Sequence, residues 1–318
     1  MGGLRFLPWV RDGVTRVVAD TDPLAGALPH ARATVSLKVT ALGTETATGT
    51  TQEIVGTSTA LLHGPGDVVG IDAQEIIRSY PAPGAENVEV SLLAAVEFDR
   101  PDLPWLYTPA KPDARGALRP WLVLVVVPVD GGGELRTEAG QPLPRLASTV
   151  RQLPALADSW AWAHAQVLVT TEDEDVATVI HGAPERTLSR LLCPRRLAAG
   201  TDYLAAVVPA FEAGVRAGLG EPVDDAGPLA PAWGPGSAHP GPDDRCCCPS
   251  TTTGRSAPGP TATSSRSPAG YGPDRCPTTS AGSRWTSPRP AAACRSSPTT
   301  ASRAARCWAS RAPSPRPA

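Results

Sequence analysis

Residues 241–318 contain no Leu, Ile, Val, Phe or Met, and this absence constrains the chain more than any motif it carries. They are built chiefly from 13 Pro, 13 Ser, 13 Ala, 11 Arg and 10 Thr, with 6 Gly and 6 Cys. Ordering a backbone costs roughly 1–2 kcal/mol per residue, and a segment without aliphatic side chains has little apolar burial to offset it. The expectation is a folded body over 1–236 and a disordered Pro/Ser/Thr/Arg/Ala-rich tail over 237–318, which excludes a two-domain enzyme spanning the whole length. Charge divides at the same place. The tail's 11 Arg and 3 Asp give +8, so a net charge of −2 conceals −10 in residues 1–240.

Three functional readings of the tail fail on composition. Cys246, Cys247 and Cys248, with Cys276, Cys294 and Cys307, invite a metal site, but zinc sites use spaced Cys pairs, often with His, and the tail has neither. Its arginines suit nucleic-acid phosphates, yet basic tails mix Lys with Arg and Lys is absent here. A Pro-, Ser- and Thr-rich stalk rarely carries six cysteines and two tryptophans.

The genetic code supplies a better account, because these residue types are what GC-rich DNA encodes in a wrong frame. Moving the frame back by one base turns Cys into Leu or Val. Ser then becomes an aliphatic residue or Phe, and Thr becomes Asp, His, Asn or Tyr. With suitable third bases, Cys246 to Gly254 can be re-read as Leu-Leu-Leu-Pro-Val-Tyr-His-His-Trp, an apolar and aromatic strand of the kind folded domains use. From Ser296 the string becomes one with normal Asp-Asp-Gly turn chemistry. A frameshift beginning between Trp233 and Cys246 is therefore expected, with the tail out of frame.

The start of the chain has a short apolar patch, Leu4, Phe6, Leu7, Trp9 and Val10, broken by Arg5, Pro8 and Arg11. It lacks the longer apolar run and cleavage site of a secretory signal. Phe6 stands where a myristoylation signal wants Ser or Thr. The longest apolar run, 121–129, is half the length of a membrane helix. With Cys193 the body's single cysteine, a cytoplasmic protein without disulfides and without a membrane anchor is expected.

The body reads as α+β, a mixed sheet with short flanking helices, because strands and helices occur without strict alternation. Alternation over 33–41, with Val35, Leu37, Val39 and Ala41 on one face, predicts a half-buried strand, and 52–63 a second. Asp72 and Glu75 form a capping pattern that predicts a short helix through Arg78, stopped before Pro81. Residues 88–98 read as a strand, and 121–129 as a central strand covered on both faces, followed by a turn at Asp130 and Gly131–Gly133. Helical spacing appears at Leu146, Val150 and Leu153, and again at Leu156, Trp160 and His164. Residues 166–170 and 176–180 suit a hairpin with 172–175 at its tip. Pro184 opens a predicted helix carrying Leu188, Leu191 and Leu192, and 203–208 reads as a strand. Pro209 opens a last helix with Phe211, Val215 and Leu219, which Gly220 stops.

Candidate chemistry is sparse. The glycine-rich stretch 63–70 has Val69 where a dinucleotide loop needs glycine, so a turn between strands is the simpler reading. Glu97, Asp99 and Asp102, with Arg100, suggest paired carboxylates for acid–base work, but Pro101 and Pro104 make the segment a rigid turn, and Asp99–Arg100 reads as a surface or turn pairing. Trp105 and Tyr107 form a candidate partner-contact patch, or else core. His164 reads as a satisfied core histidine. Glu172–Asp175 lacks the glycine and distal Glu of a calcium loop and reads as solvated. Cys193 has basic neighbours in Arg195 and Arg196 but no His partner, so it reads as a buried structural thiol. No catalytic, cofactor or metal residue is assigned.

The segments FLPWVRDG, VEFDRPDLPWLYTPA, LRPWLVLVVV, SWAWAHAQV and RLLCPRRL with YLAAVVPAFEAGVRAGLG together resemble the amino-terminal part of a family of large, poorly characterised actinobacterial proteins. In that family a segment similar to the re-read Leu-Pro-Val-Tyr-His-His-Trp follows the AFEAG helix. The resemblance covers about 230 of the 318 residues and is associated with gene neighbourhoods of phage-tail-like contractile particles. It implies a truncated copy of a non-enzymatic structural or assembly protein that meets other protein subunits, with no specific nucleic acid. Two further expectations come from other classes. One is a hydrolase-like enzyme whose active site lies in the missing carboxyl-terminal portion. The other is a partner-binding module built on Trp105 and Tyr107.

Overall fold

The computed structural model describes residues 2–224, 227–250 and 253–258, the last six and Val14 through their backbone alone. The tail assignment from 259 onward lies outside the described residues. The fold is mixed α/β, with a few short helices flanking multi-stranded sheets.

The strands are β1 (Gly3–Leu7), β2 (Thr34–Thr44), β3 (Thr51–Leu61), β4 (Ile76–Tyr80), β5 (Glu86–Val88), β6 (Ala95–Phe98) and β7 (Leu122–Pro128). They continue with β8 (Glu134–Arg136), β9 (Arg145–Thr149), β10 (Ala163–Val169), β11 (Thr187–Leu192), β12 (Tyr203–Pro209), β13 (Arg245–Pro249) and β14 (Thr253–Pro258). The two α-helices are α1 (Val176–Gly182) and α2 (Glu212–Leu219). A five-stranded antiparallel sheet runs β1-β10-β11-β6-β4. A four-stranded sheet runs β5-β14-β12-β7, parallel only between β14 and β5. The order β13-β9-β8 makes a third, and β2 and β3 pair as a ribbon of their own.

One core joins these sheets. Val96, Phe98, Ala163, Ala165 and Leu191 from the five-stranded sheet cluster with Leu122–Val127 and Ala206–Val208. Strand β7 is buried along both faces, as its unbroken run of aliphatic residues requires. It ends its sheet rather than occupying the centre, so its covering comes from packing and not from a second flanking strand.

Several predicted helices are strands. Thr187, Ser189 and Leu191 alternate inward along β11, and pairing with β10 and β6 outweighs the helical spacing of Leu188, Leu191 and Leu192. The small polar Thr187 and Ser189 disguise the alternation; the Ser189 hydroxyl donates to the Arg100 carbonyl at 2.6 Å, which makes its burial tolerable. Residues 145–149 form β9 between β8 and β13, leaving only a short 3-10 turn at Val150–Gln152. His164 lies on β10, after a 3-10 helix over Leu156–Trp162. Asp72 does cap a turn, accepting from the Gln74 amide, but the turn is 3-10 and ends where β-branched Ile76 and Ile77 enter β4.

The reverse error occurs at 176–180, expected as a hairpin strand. Asp175 accepts from the Thr178 amide and hydroxyl, and this N-cap opens helix α1. The predicted strand over 88–98 is interrupted by a turn, where the Glu89 carboxylate accepts from the Ser91 amide. The strands at 34–44, 51–61 and 203–209 and the last helix agree with expectation. Gly220 ends α2 in the left-handed region at φ 73°, which favours glycine.

The boundary at 236 also shifts. Residues 245–249 form β13, paired antiparallel to β9 with Cys246 opposite Ser148 and Cys248 opposite Leu146. Cys246, Cys248 and Ser250 are buried, and Pro249 packs against Gly218 of α2. The folded unit thus takes in part of the segment assigned to the tail.

Candidate functional site

The segment carrying Trp105 is held by the start of the chain. Arg11 is buried, and its guanidinium donates to the carbonyls of Ala110 (2.6 Å), Trp105 (3.2 Å) and Thr108. Burial lowers its pKa to about 10, against the raising influence of Asp22, so it stays charged at neutral pH. Trp9 donates to the Gly116 carbonyl at 2.9 Å. Trp105 is fully buried and donates its indole N–H to Leu118. A buried indole cannot touch a partner, so the proposed aromatic contact fails at Trp105. Tyr107 is half-buried and stacks edge-on against Trp121, with ring centres 4.9 Å apart. The pair serves the core.

Glu97 and His164 are brought together, which their sequence separation did not suggest. Cross-strand register aligns His164 on β10, Arg190 on β11, Glu97 on β6 and Arg78 on β4 along one face of the five-stranded sheet. Glu97 is ion-paired with Arg190 on one side and with Arg78, at 3.4 Å, on the other. Burial lowers the His164 pKa, and the neighbouring Arg190 charge lowers it further, while Glu97 acts in the opposite sense. The Gln166 side-chain amide lies 2.9 Å from His164 Nε2 and suits a neutral ring. This ladder ties the two titratable groups into a sheet-stabilising pair system. Arg190 is the link that sequence reading missed. The signal was the alternation of His164 and Gln166 with inward Ala163, Ala165 and Val167.

The remaining candidates do not converge. Arg100 clasps Asp102 through two bonds of 3.1 and 3.2 Å, where Asp99 was the expected partner, and Asp99 is exposed beside it. Glu174 is bound by Arg186 and by the Thr170 amide and hydroxyl. Cys193 is buried and its thiol pKa is raised by desolvation, the condition of an inert thiol. In 63–70 the Asp67 carboxylate accepts from the Gly64 amide and pairs with Arg32, giving a fixed turn. Among the described residues no group of three His, Cys, Asp or Glu side chains is arranged to hold a metal ion. No helix among them is long and apolar enough to cross a membrane.

Two features present a surface. A pocket of about 360 Å³ is rimmed by Pro154, Pro231, Pro235, Pro240 and Pro242 around Trp233. The Trp233 indole N–H is satisfied by the Pro154 carbonyl, and Arg119 at the pocket is ion-paired with Asp22. The β2–β3 ribbon is the more unusual. Every residue from Ser36 to Thr59 is exposed, so only Val35 and Ala60 anchor it to the body. Leu37, Val39 and Ala41 share one face with Ile54, and Val39 and Ile54 are 63% and 67% exposed. The half-buried strand predicted from this alternation is buried only at Val35.

No family model, curated protein or solved structure matches the chain.

Proposed function

We propose that the chain is the amino-terminal portion of a larger structural or assembly protein, whose sequence passes out of frame between Trp233 and Cys246. The ribbon carries this reading. A two-stranded hairpin is marginal in water, and this one extends its apolar face away from the body with nothing beneath it. Such an arm gains its stability when another chain covers it, which is what subunits of an assembly do. The resemblance to proteins near phage-tail-like particle genes points the same way.

Strand β13 supports the frame. Positions 246, 248, 249 and 250 are buried, and re-reading allows Leu at 246, gives Leu at 248 and allows an aliphatic residue at 250. Pro249, which can re-read as Pro, packs against Gly218 on the other side of the proposed junction. Expressing the gene with one base corrected tests the proposal. The expected product is a longer chain that sediments as a high-mass assembly. A discrete enzyme with turnover that is lost on changing His164 would overturn it.

A further inference from the structure

We propose that the pocket beside Cys193 is a binding site for a small organic anion, a compact apolar molecule ending in a carboxylate or phosphate that Arg195 and Arg196 grip. The site goes beyond the assembly reading and does not depend on it.

The sequence places two arginines directly after Cys193 and Pro194, where β11 has ended at Leu192. The fold clamps this stretch at both ends. Cys193 is buried and its amide donates to the Ala94 carbonyl at 2.9 Å, while Leu197 is buried on the far side. Pro194 fixes its own φ between them. Gln152 then holds Arg195, whose Nη2 donates to the Gln152 backbone carbonyl at 2.8 Å and to its side-chain oxygen at 3.0 Å. Both acceptors are neutral, so the guanidinium is positioned without being neutralised. Its Nε and Nη1, and the whole fork of the exposed Arg196, have no acceptor among the described residues.

Charge makes this pair exceptional. Residues 1–240 carry −10, and arginines elsewhere in the body find carboxylates readily. Arg119 at the proline-rimmed pocket is paired with Asp22, and Arg216 at the pocket along α2 with Glu212. Arg32, Arg100, Arg151 and Arg186 are likewise paired. Arg195 and Arg196 instead share a cavity of about 360 Å³ that no acidic residue lines. Two uncompensated cations at one cavity favour an anion there. The free fork of Arg196 suits the two oxygens of a carboxylate or phosphate, and Arg195 adds further charge-assisted donors. The volume exceeds what the oxyanion alone needs, and Val126, Leu153 and Pro154 supply apolar wall, so the ligand carries an apolar body.

Isothermal titration of the full-length chain in low salt, under reducing conditions, tests the proposal with benzoate and phenyl phosphate as probes. At least one should bind saturably at a single site with a Kd below about 1 mM, and the tighter of the two names the oxyanion. Phenol has the ring without the charge, and inorganic phosphate the charge without the ring. Each should bind at least about tenfold more weakly. Arg196→Gln and Arg195→Gln should each weaken the probe about tenfold, and the exposed Arg196→Gln should leave the melting midpoint unchanged. Arg16→Gln, an exposed arginine elsewhere, should bind as wild type. Absence of saturable binding for both probes, or binding that neither pocket substitution weakens, overturns the site. Phenol binding as tightly as phenyl phosphate overturns it as well.

Discussion

Replacing Asp22 with Ala probes the buried join between the start of the chain and the approach to β7. Asp22 and Arg119 are 1% and 2% exposed, and Arg119 Nε lies 2.9 Å from Asp22 Oδ1. The Asp22 carboxylate also accepts from the backbone amides of Arg119 and Leu24 at 2.9 and 2.8 Å. Leu24 sits at φ 61°, a conformation that this bond helps to hold. Removing the carboxylate leaves a guanidinium buried beside Phe211 with the Gly26 carbonyl as its remaining hydrogen-bond acceptor. Breaking a buried pair from one side costs about 3–5 kcal/mol, a large part of a typical total of about 5–15 kcal/mol. With a urea slope near 2 kcal/mol per molar, the midpoint should fall by roughly 1.5–2.5 M. Tryptophan fluorescence reads the transition, since Trp105 and Trp121 are buried near the join. The double variant Asp22→Ala/Arg119→Met removes both charges and should lose less than the two single losses together. A loss below about 1 kcal/mol for Asp22→Ala is the behaviour of an exposed pair and would refute the reasoning.

Three further outcomes follow from the geometry. A Cβ on Gly218 would lie 2.5 Å from Pro249 Cγ and 3.0 Å from the Val69 carbonyl, so Gly218→Ala should cost about 1–3 kcal/mol, read as a lower melting midpoint. An unchanged midpoint would show that β13 does not seat against α2. Hydrogen bonds from Arg186 and Thr170 push Glu174 from 4.5 down to about 2. Its folded pKa lies below the unfolded one, so its contribution is complete above about 4.5 and disappears as pH falls toward 2. Glu174→Gln should flatten the stability–pH curve in that window, measured by urea titration at stepped pH; an unaltered slope would contradict the pairing. Trp105→Ala should cost about 3–5 kcal/mol and broaden or abolish cooperative melting. A variant with normal melting would contradict the core placement of Trp105.

How much was legible depends on where side chains point. Aliphatic runs and clean alternation identified β2, β3, β7 and β12, and Phe211, Val215, Leu219 and Gly220 marked α2. Strand β11 and the start of β10 were hidden because Ser189, Thr187 and Ala163 hold inward positions usually filled by larger apolar residues, while 166–170 was read as strand. Leucines at helical spacing then outweighed a true alternation. Alternation by itself could not show that Leu37 and Val39 face solvent, since a half-buried strand and a free-standing ribbon share one pattern. The ladder of His164, Arg190 and Glu97 depends on strand order, which no local pattern records. The tail's composition was the most legible feature of all. It placed the end of the folded body at 236, although the fold reaches past that point to take up β13.

The nucleotide sequence across codons 234–250 tests the central claim most directly. Cys247 and Cys248 each follow a cysteine, whose codon ends in T or C, so one base back both positions read TTG or CTG. Both triplets encode leucine. The account predicts a frame that, once corrected, stays open past the codon for residue 318 and gives an aliphatic residue at buried position 250. A stop codon soon after the junction, or a charged residue at 250, would contradict it.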